Sequence, residues 1–430
     1  MSKNTTILGG GIAGLAAGYR LRQNGIDSVI FDKNEAFGGL CRSFSIGGFV
    51  FDTFAHVNFS KDSYVMSMLE GKTDYLSHAP EALNYYHGTW VRNPVQTNLI
   101  DISVDERVEM IEGFLNRDKN IEVDNYEKWL KMCYGEYFTE HFPAAYTRKY
   151  WTVEPKELEA KWVENRMYVP TVKEILRGAM TKDTPNVHYT KEIHYPVKGG
   201  YGAFLEPFAE EADIRLQKDM AFLDTDEQYI RFRDGEEVKY DNLISTIPLT
   251  HLIANMKNVP EDIKNEAEKL EYTSGLMVSI GLKCENVSPA LWFYIYDEDI
   301  YPARVYAPNI KSPNNVPNGC CALQAEIYYS KRNPLKKSLE EIKEDTINQL
   351  IKMGLFQKKD IMVCDIRQEE YANIMFTPAI YSARNKVKEF LDEKGIFYAG
   401  RFGEWDYLWT GQSVVSGTNA ADKIMERKLV

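Results

Sequence analysis

Hydrophobic positions along this chain follow two periods, and the switches between them mark its elements. The chain opens on a short apolar run, Thr5-Thr6-Ile7-Leu8, that stops at Gly9 and reads as a strand. Apolar residues then recur at helical spacing (Leu15, Ala16, Tyr19, Leu21) as far as Gly25, and a second strand, Ser28-Val29-Ile30-Phe31, closes on Asp32. Residues 83–94 read as a hairpin about His87-Gly88. From about Asp105 to Met180 the spacing turns to three and four (Val108, Ile111, Leu115, then Tyr126, Trp129, Leu130, Cys133), which predicts a helical insertion. Strand patterning resumes at His194–Val197. A helix is predicted over Phe204–Glu211, then strands at Ile214–Leu216, Met220–Leu223 and 243–247. Residues 275–330 alternate as several strands, Ser338–Met353 is an amphipathic helix, and 361–367 is one more strand.

The fold class these elements predict is α/β: a Rossmann-like nucleotide-binding domain (1–82, 190–272 and 385–430) with a helical insertion (100–185) and an antiparallel β-sheet domain (83–99 and 273–384). A length of 430 residues exceeds what one hydrophobic core supports, so several domains are expected. Hydrophobic residues at 44% and charged residues at 27% are those of a soluble globular chain. No apolar run reaches transmembrane length and no signal peptide precedes the first strand, so a cytoplasmic location without a membrane span is expected. The cysteines at 41, 133, 284, 320, 321 and 364 lack metal-ligand spacing; they read as free thiols, with no metal site expected. A net charge of −12 without a basic tract argues against nucleic acid as partner. It also requires that any anionic substrate be held by a local cluster of arginines.

The most specific stretch is Gly9-x-Gly11-x-x-Gly14 between the first strand and its helix, with Asp32 closing the next strand. Gly9 permits the tight turn, Gly11 lets the backbone approach a pyrophosphate, and Gly14 lets helix and strand pack closely. The helix N-terminus offers N–H groups to phosphate oxygens, and Asp32 stands where a carboxylate accepts ribose hydroxyls.

Three separated pieces resemble the amine oxidase-like flavoprotein superfamily and imply FAD as the nucleotide. They are Gly38-Gly39-Leu40-Cys41-Arg42, the strand and loop Leu243-Ile244-Ser245-Thr246-Ile247-Pro248, and Gly395–Gly403 leading into a terminal helix. Further stretches resemble UDP-galactopyranose mutases, the eukaryotic type most of all, in the same order along nearly the whole chain. They are His56–Ser60, Trp90–Asn98, Tyr150–Pro155, Trp162–Arg166, Tyr195–Gly200 and Gly400–Tyr407.

That resemblance implies an FAD-dependent nucleotide-sugar mutase interconverting pyranose and furanose forms, with N5 of reduced FAD as nucleophile at the anomeric carbon and NADPH or NADH as reductant. Arg304 and Arg401 match its diphosphate arginines, and His56 stands beside the flavin. Tyr294, Tyr407, Arg166, Trp151, Gln96, Trp292 and Asn93 match or occupy its substrate positions, and core packing is the alternative for Trp151. The implied cofactor set is Gly9, Gly11, Ile12, Ala13, Gly14, Asp32, Lys33, Gly39, Leu40, Met220, Thr246, Gly400, Arg401, Gly411, Gln412 and Ser413.

The chain departs from the family pattern at several places. Phe54-Ala55-His56 stands where the family has Gly-Gly-His, and a phenylalanine there is expected to narrow the flavin pocket or change its redox-linked motion. Asn93, Thr147 and Met375 replace two tyrosines and an asparagine. The sugar, the base and the oligomeric state are therefore left open, and an FAD oxidase or desaturase of the same superfamily is the alternative activity, ahead of a non-enzymatic FAD scaffold.

Overall fold

The computed structural model describes residues 5–163, 166–187 and 190–427, so Glu164 and Asn165 of the Trp162–Arg166 motif lie outside the described residues. The nucleotide-binding sheet is parallel throughout, in the order Phe397–Tyr398, Asn242–Ser245, Thr5–Leu8, Ser28–Phe31, Asp213–Arg215. Its central strand is buried at all four positions, as a run without polar alternation requires. The helix Ile12–Gln23 returns along this sheet and lies against the last helix, Thr410–Arg427. The two helices approach closely because a Cβ at Gly417 would overlap the carbonyl of Ala13.

The second sheet has seven strands, in the order Ile361–Ile374, Tyr272–Leu282, Cys321–Tyr329, Arg304–Tyr306, Trp292–Ile295, Ala82–Tyr86, Thr89–Arg92. Five of its six pairings are antiparallel as expected; Trp292–Ile295 and Ala82–Tyr86 run parallel, because a long connection rather than a hairpin joins them. The hairpin at His87-Gly88 forms as expected. The strand expected over 361–367 continues to Ile374, and the helix expected over 204–211 shortens to a 3₁₀ turn, Tyr201–Leu205, and Glu206–Ala209. Pro207 sits in the first turn of that short helix, where its missing N–H is tolerated.

Strand alternation divides this sheet into two faces. Leu276, Val278, Ile280 and Leu282, with Leu323, Ala325, Ile327, Val305 and Phe293, form an apolar core with the helix Leu339–Lys352. The opposite parity, Met277, Glu326, Arg304 and Tyr294, falls on the other face, next to elements of the cofactor-binding half.

Helices fill the expected insertion: Val104–Leu115, Tyr126–Tyr134, Glu136–Thr139, Ala145–Tyr150 and Val172–Met180. Between the third and fourth, Glu140–Ala144 winds as a π turn around Pro143, whose missing N–H interrupts the helical ladder. The Thr147 hydroxyl donates to the Pro143 carbonyl at 2.6 Å, so Thr147 is buried in a structural role. All six cysteines are free thiols, and no helix among the described residues is long and apolar enough to cross a membrane.

Candidate active site

The glycine-rich turn opens onto a cleft of about 230 Å³. Gly9 turns the chain at a φ of +98°, and Gly14 packs so closely that a Cβ would overlap the Gly9 carbonyl. Gly11 is different: a Cβ there would meet nothing within 4 Å, because it would stand in the cleft itself. The helix that begins at Ile12 carries no side-chain cap, so its first N–H groups face that space unsatisfied. Asp32 is 6% exposed and held by the Gly10 N–H at 2.7 Å and by the Asn34 N–H and side-chain amide, both at 2.8 Å. An open space before orphan N–H groups, with a fixed carboxylate beyond, fits a dinucleotide such as FAD.

Gly9, Gly11, Ile12, Ala13, Asp32, Lys33, Gly39, Leu40, Met220, Thr246, Gly400, Arg401 and Ser413 line this one cleft, with His56. Three residues of the implied cofactor set do not. Gly14 acts through packing, Gly411 lies against Ser60 and Val65, and the Gln412 amide oxygen accepts the Trp409 N–H at 2.9 Å. Thr246 reaches the cleft but also braces the turn, its hydroxyl within 2.9 Å of the Leu8 carbonyl and 3.0 Å of that of Gly9. The sequence reading missed the Arg42–Glu369 ion pair, 2.5 Å long, on the same wall.

Phe54 does not narrow the cleft. Its ring turns away into a notch over Gly275, where a Cβ would overlap it, and joins Met277, Tyr306 and Tyr328. His56 remains on the cleft wall. Its Nδ1 lies 2.9 Å from the Phe54 carbonyl, which can only accept, so the proton sits there and Nε2 keeps its lone pair. Burial lowers the His56 pKa to about 4, with the positive charges of Arg401 and Lys311 in the same direction. The ring is therefore neutral near pH 7.

Beside this cleft a row of side chains crosses the large sheet. Strand register places Glu326 opposite Arg304, and Arg304 opposite Tyr294. Arg304 grips Glu326 with two hydrogen bonds, 2.8 Å from Nε and 2.9 Å from Nη2. The carboxylate has no exposed surface, and it also accepts the Tyr328 hydroxyl at 2.9 Å and the Ala55 N–H at 3.3 Å. Burial opposes the Arg304 charge, yet Glu326 holds its pKa well above the ordinary value. The sequence reading found Arg304 and missed Glu326, although Gln324 and Glu326 are polar at one parity of an otherwise apolar strand.

The helix Ala145–Tyr150 lays Tyr146 against Tyr294 (centroids 5.5 Å) and Tyr150 against Tyr328 (4.6 Å). Burial pushes the Tyr150 hydroxyl well above its ordinary pKa, and the charges of Arg304 and Arg401 both pull it back. Tyr150 thus stands in the field of both arginines. Arg401 donates from Nε to the Leu408 carbonyl at 2.9 Å and lies 5.3 Å from the Tyr407 ring. Arg166 is clasped between the rings of Tyr407 (4.3 Å) and Trp409 (4.6 Å) and donates to the Tyr407 carbonyl.

Four of the sequence-predicted substrate residues, Trp151, Gln96, Asn93 and Trp292, lie elsewhere. Trp151 is buried among Tyr150, Tyr126 and Trp162 with its indole N–H on the Ile374 carbonyl, a core position. Gln96 donates to the Tyr168 carbonyl and borders a small void among Met110, Phe114 and Phe138. Asn93 pairs through its backbone with Ala82 at the end of the hairpin, Trp292 starts its strand next to the Phe54 cluster, and Met375 is fully buried. Among the described residues no group of three metal-ligating side chains occurs.

A model of the flavin containing amine oxidoreductases matches residues 12–425. The structure is similar to that of a reduced UDP-galactopyranose mutase, with a TM-score of 0.93 and 25% identity over 99% of this chain and 94% of that one. By sequence the chain is 22% identical to a 4,4'-diaponeurosporene oxygenase of Staphylococcus haemolyticus (strain JCSC1435), over 87% of this chain and 84% of the relative. It is also 22% identical to a 4,4'-diapophytoene desaturase of the same organism, over 89% and 86%.

Proposed function

The chain belongs to the flavin containing amine oxidoreductase family, and on that premise we propose that it is an FAD-dependent mutase of a nucleotide-sugar, UDP-galactose or a relative. The observation that carries this reading is the likeness to a reduced UDP-galactopyranose mutase over 99% of this chain, with Arg401 on the wall of the cofactor cleft and Arg304 in the row beside it. Two fixed guanidinium groups are what a chain of net charge −12 needs to hold a diphosphate. Bound in its reduced form, FAD supplies a nucleophilic N5 for the anomeric carbon.

The protein's part is positioning and electrostatics. The N-terminus of the helix Ile12–Gln23 and Asp32 hold the cofactor. Arg401 and Arg304 retain the nucleoside diphosphate as it leaves the sugar, so that it can recombine with the rearranged ring. Arg304 is pre-aimed by Glu326, which fixes the fork without a rotamer search. The Tyr146, Tyr294 and Tyr328 rings wall the sugar side from water. Neutral His56 offers its Nε2 lone pair toward the cleft without adding charge.

An oxidase or desaturase is the second reading, supported by the carotenoid-acting relatives at 22% identity. One measurement separates the two: nucleotide-sugars are incubated with dithionite-reduced protein while isomer formation and oxygen uptake are followed together. The mutase reading expects isomerisation with no stoichiometric oxygen or reductant consumed. One oxygen consumed per product would establish the oxidase instead.

A further inference from the structure

Two helices of the insertion carry apolar rows on their solvent side. In Val104–Leu115 the row is Val104, Val108, Ile111 and Leu115, at helical spacing, and all but Ile111 are more than half exposed. In Val172–Met180 it is Val172, Leu176 and Met180, and Met180 is 75% exposed. The two helices lie side by side and antiparallel. Arg107 donates to the Ala179 carbonyl at 2.7 Å, Lys182 pairs with Asp101 at 2.6 Å, and Ile175 shares a small void with Met110 and Phe114. The rows therefore form one continuous surface along the seam between them. Apolar residues scattered singly over a surface are ordinary, whereas a continuous patch marks a contact.

The charges beside the patch say what covers it. In each helix a charged row stands one residue C-terminal to the apolar one: Asp105, Glu109 and Glu112 on the first, Lys173 and Arg177 on the second. Because the helices are antiparallel, the same rotation carries these rows to opposite flanks of the patch. All five residues are exposed, and none makes an ion pair among the described residues. The face thus runs from an acidic edge through an apolar middle to a basic edge. A twofold axis along the seam lays such a face on a copy of itself with unlike charges opposed, Glu109 to Arg177 of the second copy and Glu112 to its Lys173. A lipid surface fits less well, because anionic headgroups repel the acidic edge.

We infer that this face is the contact between two copies of the chain, with the helix Val104–Leu115 of each antiparallel to the helix Val172–Met180 of the other. None of these residues lines the cofactor cleft, so the inference goes beyond the nucleotide-sugar reading and does not need it.

The test is sedimentation velocity of the FAD-loaded full chain over a concentration series, with pelleting on phosphatidylglycerol vesicles followed alongside. The parent should sediment at twice the mass of one chain. Val108→Glu and Met180→Glu should each give monomers with unchanged flavin content, because both side chains are exposed. Glu109→Lys or Arg177→Glu alone should raise the dissociation constant by about tenfold or more, and the two together should restore it. That rescue needs a second copy, since within one chain the two residues stand on opposite flanks. A parent that is monomeric at every concentration, a dimer untouched by Val108→Glu, or a double reversal no better than either single one overturns the inference. Vesicle binding that is lost in Val108→Glu, with no dimer in solution, overturns it in favour of a lipid surface.

Discussion

The cofactor cleft and the row of side chains beside it are built by opposite means. The cleft is largely backbone: a turn at Gly9, open space at Gly11, uncapped N–H groups, and one carboxylate tied to the chain. The row is side chain. Glu326, Arg304 and Tyr294 come from three strands of one sheet and are brought abreast only by register. The first kind of site tolerates almost any neighbouring charge but not one added methyl group. The second tolerates changes of shape but not an uncompensated charge.

The largest expected effect tests the steric side of this contrast. Gly14→Val should abolish folding, because its side chain must displace the Gly9 carbonyl. Gly11→Val should fold, since its Cβ meets no protein atom within 4 Å, yet retain less than about a tenth of the parent's flavin. Circular dichroism and the flavin-to-protein absorbance ratio read the two outcomes. A fully yellow Gly11→Val protein would erase the distinction.

The next effect tests the charge side. Glu326→Gln leaves the Arg304 guanidinium without its buried carboxylate and should lose about 3–5 kcal/mol in urea unfolding. Arg304→Met combined with Glu326→Leu should recover most of that loss. A double variant as unstable as the single one would show that shape, not charge, governs the row.

Arg401 sharpens the comparison because its described hydrogen bond is to a carbonyl, so deleting it strands no acid. Arg401→Ala should keep its fold and lose turnover with nucleotide-sugar by roughly ten- to hundredfold. Arg304→Ala should lose stability as well, because it strands Glu326 in the core. Steady-state rates beside denaturation midpoints separate the pair.

The smallest effect is pH-dependent. His56 protonates near 6.5 in the unfolded chain and near 4 in the folded one, because burial disfavours its charge. Between those values the unfolded chain binds the extra proton, so this residue's contribution to stability is present above pH 6.5 and is lost as pH falls toward 4. Thermal midpoints of the parent should drop further over that window than those of His56→Asn. Parallel curves would remove His56 from the account.

The same contrast governs what could be read in the sequence. The cleft is contiguous in the chain from Gly9 to Asp32, so spacing alone revealed the turn, the helix and the acid. Arg304 was singled out only by the family resemblance, and Glu326 became its partner only through strand register, which short alternating runs do not specify. Phe54 looked like an obstruction because its accommodation depends on Gly275, far away in sequence. Trp151 read equally well as ligand or core, and packing against Trp162 and Tyr126 gives it a core position.

The crossing of the first and last helices fixes an order in time. The strand Thr5–Leu8 is made before both of its sheet neighbours, Ser28–Phe31 and Asn242–Ser245, and the outer strand Phe397–Tyr398 follows more than 150 residues after the second of them. The helix Ile12–Gln23 finds its partner only when Thr410–Arg427 has been made. The phosphate-facing turn is thus made well before it can be completed, and a chain stopped short of Thr410 exposes the apolar flank of its own dinucleotide cradle.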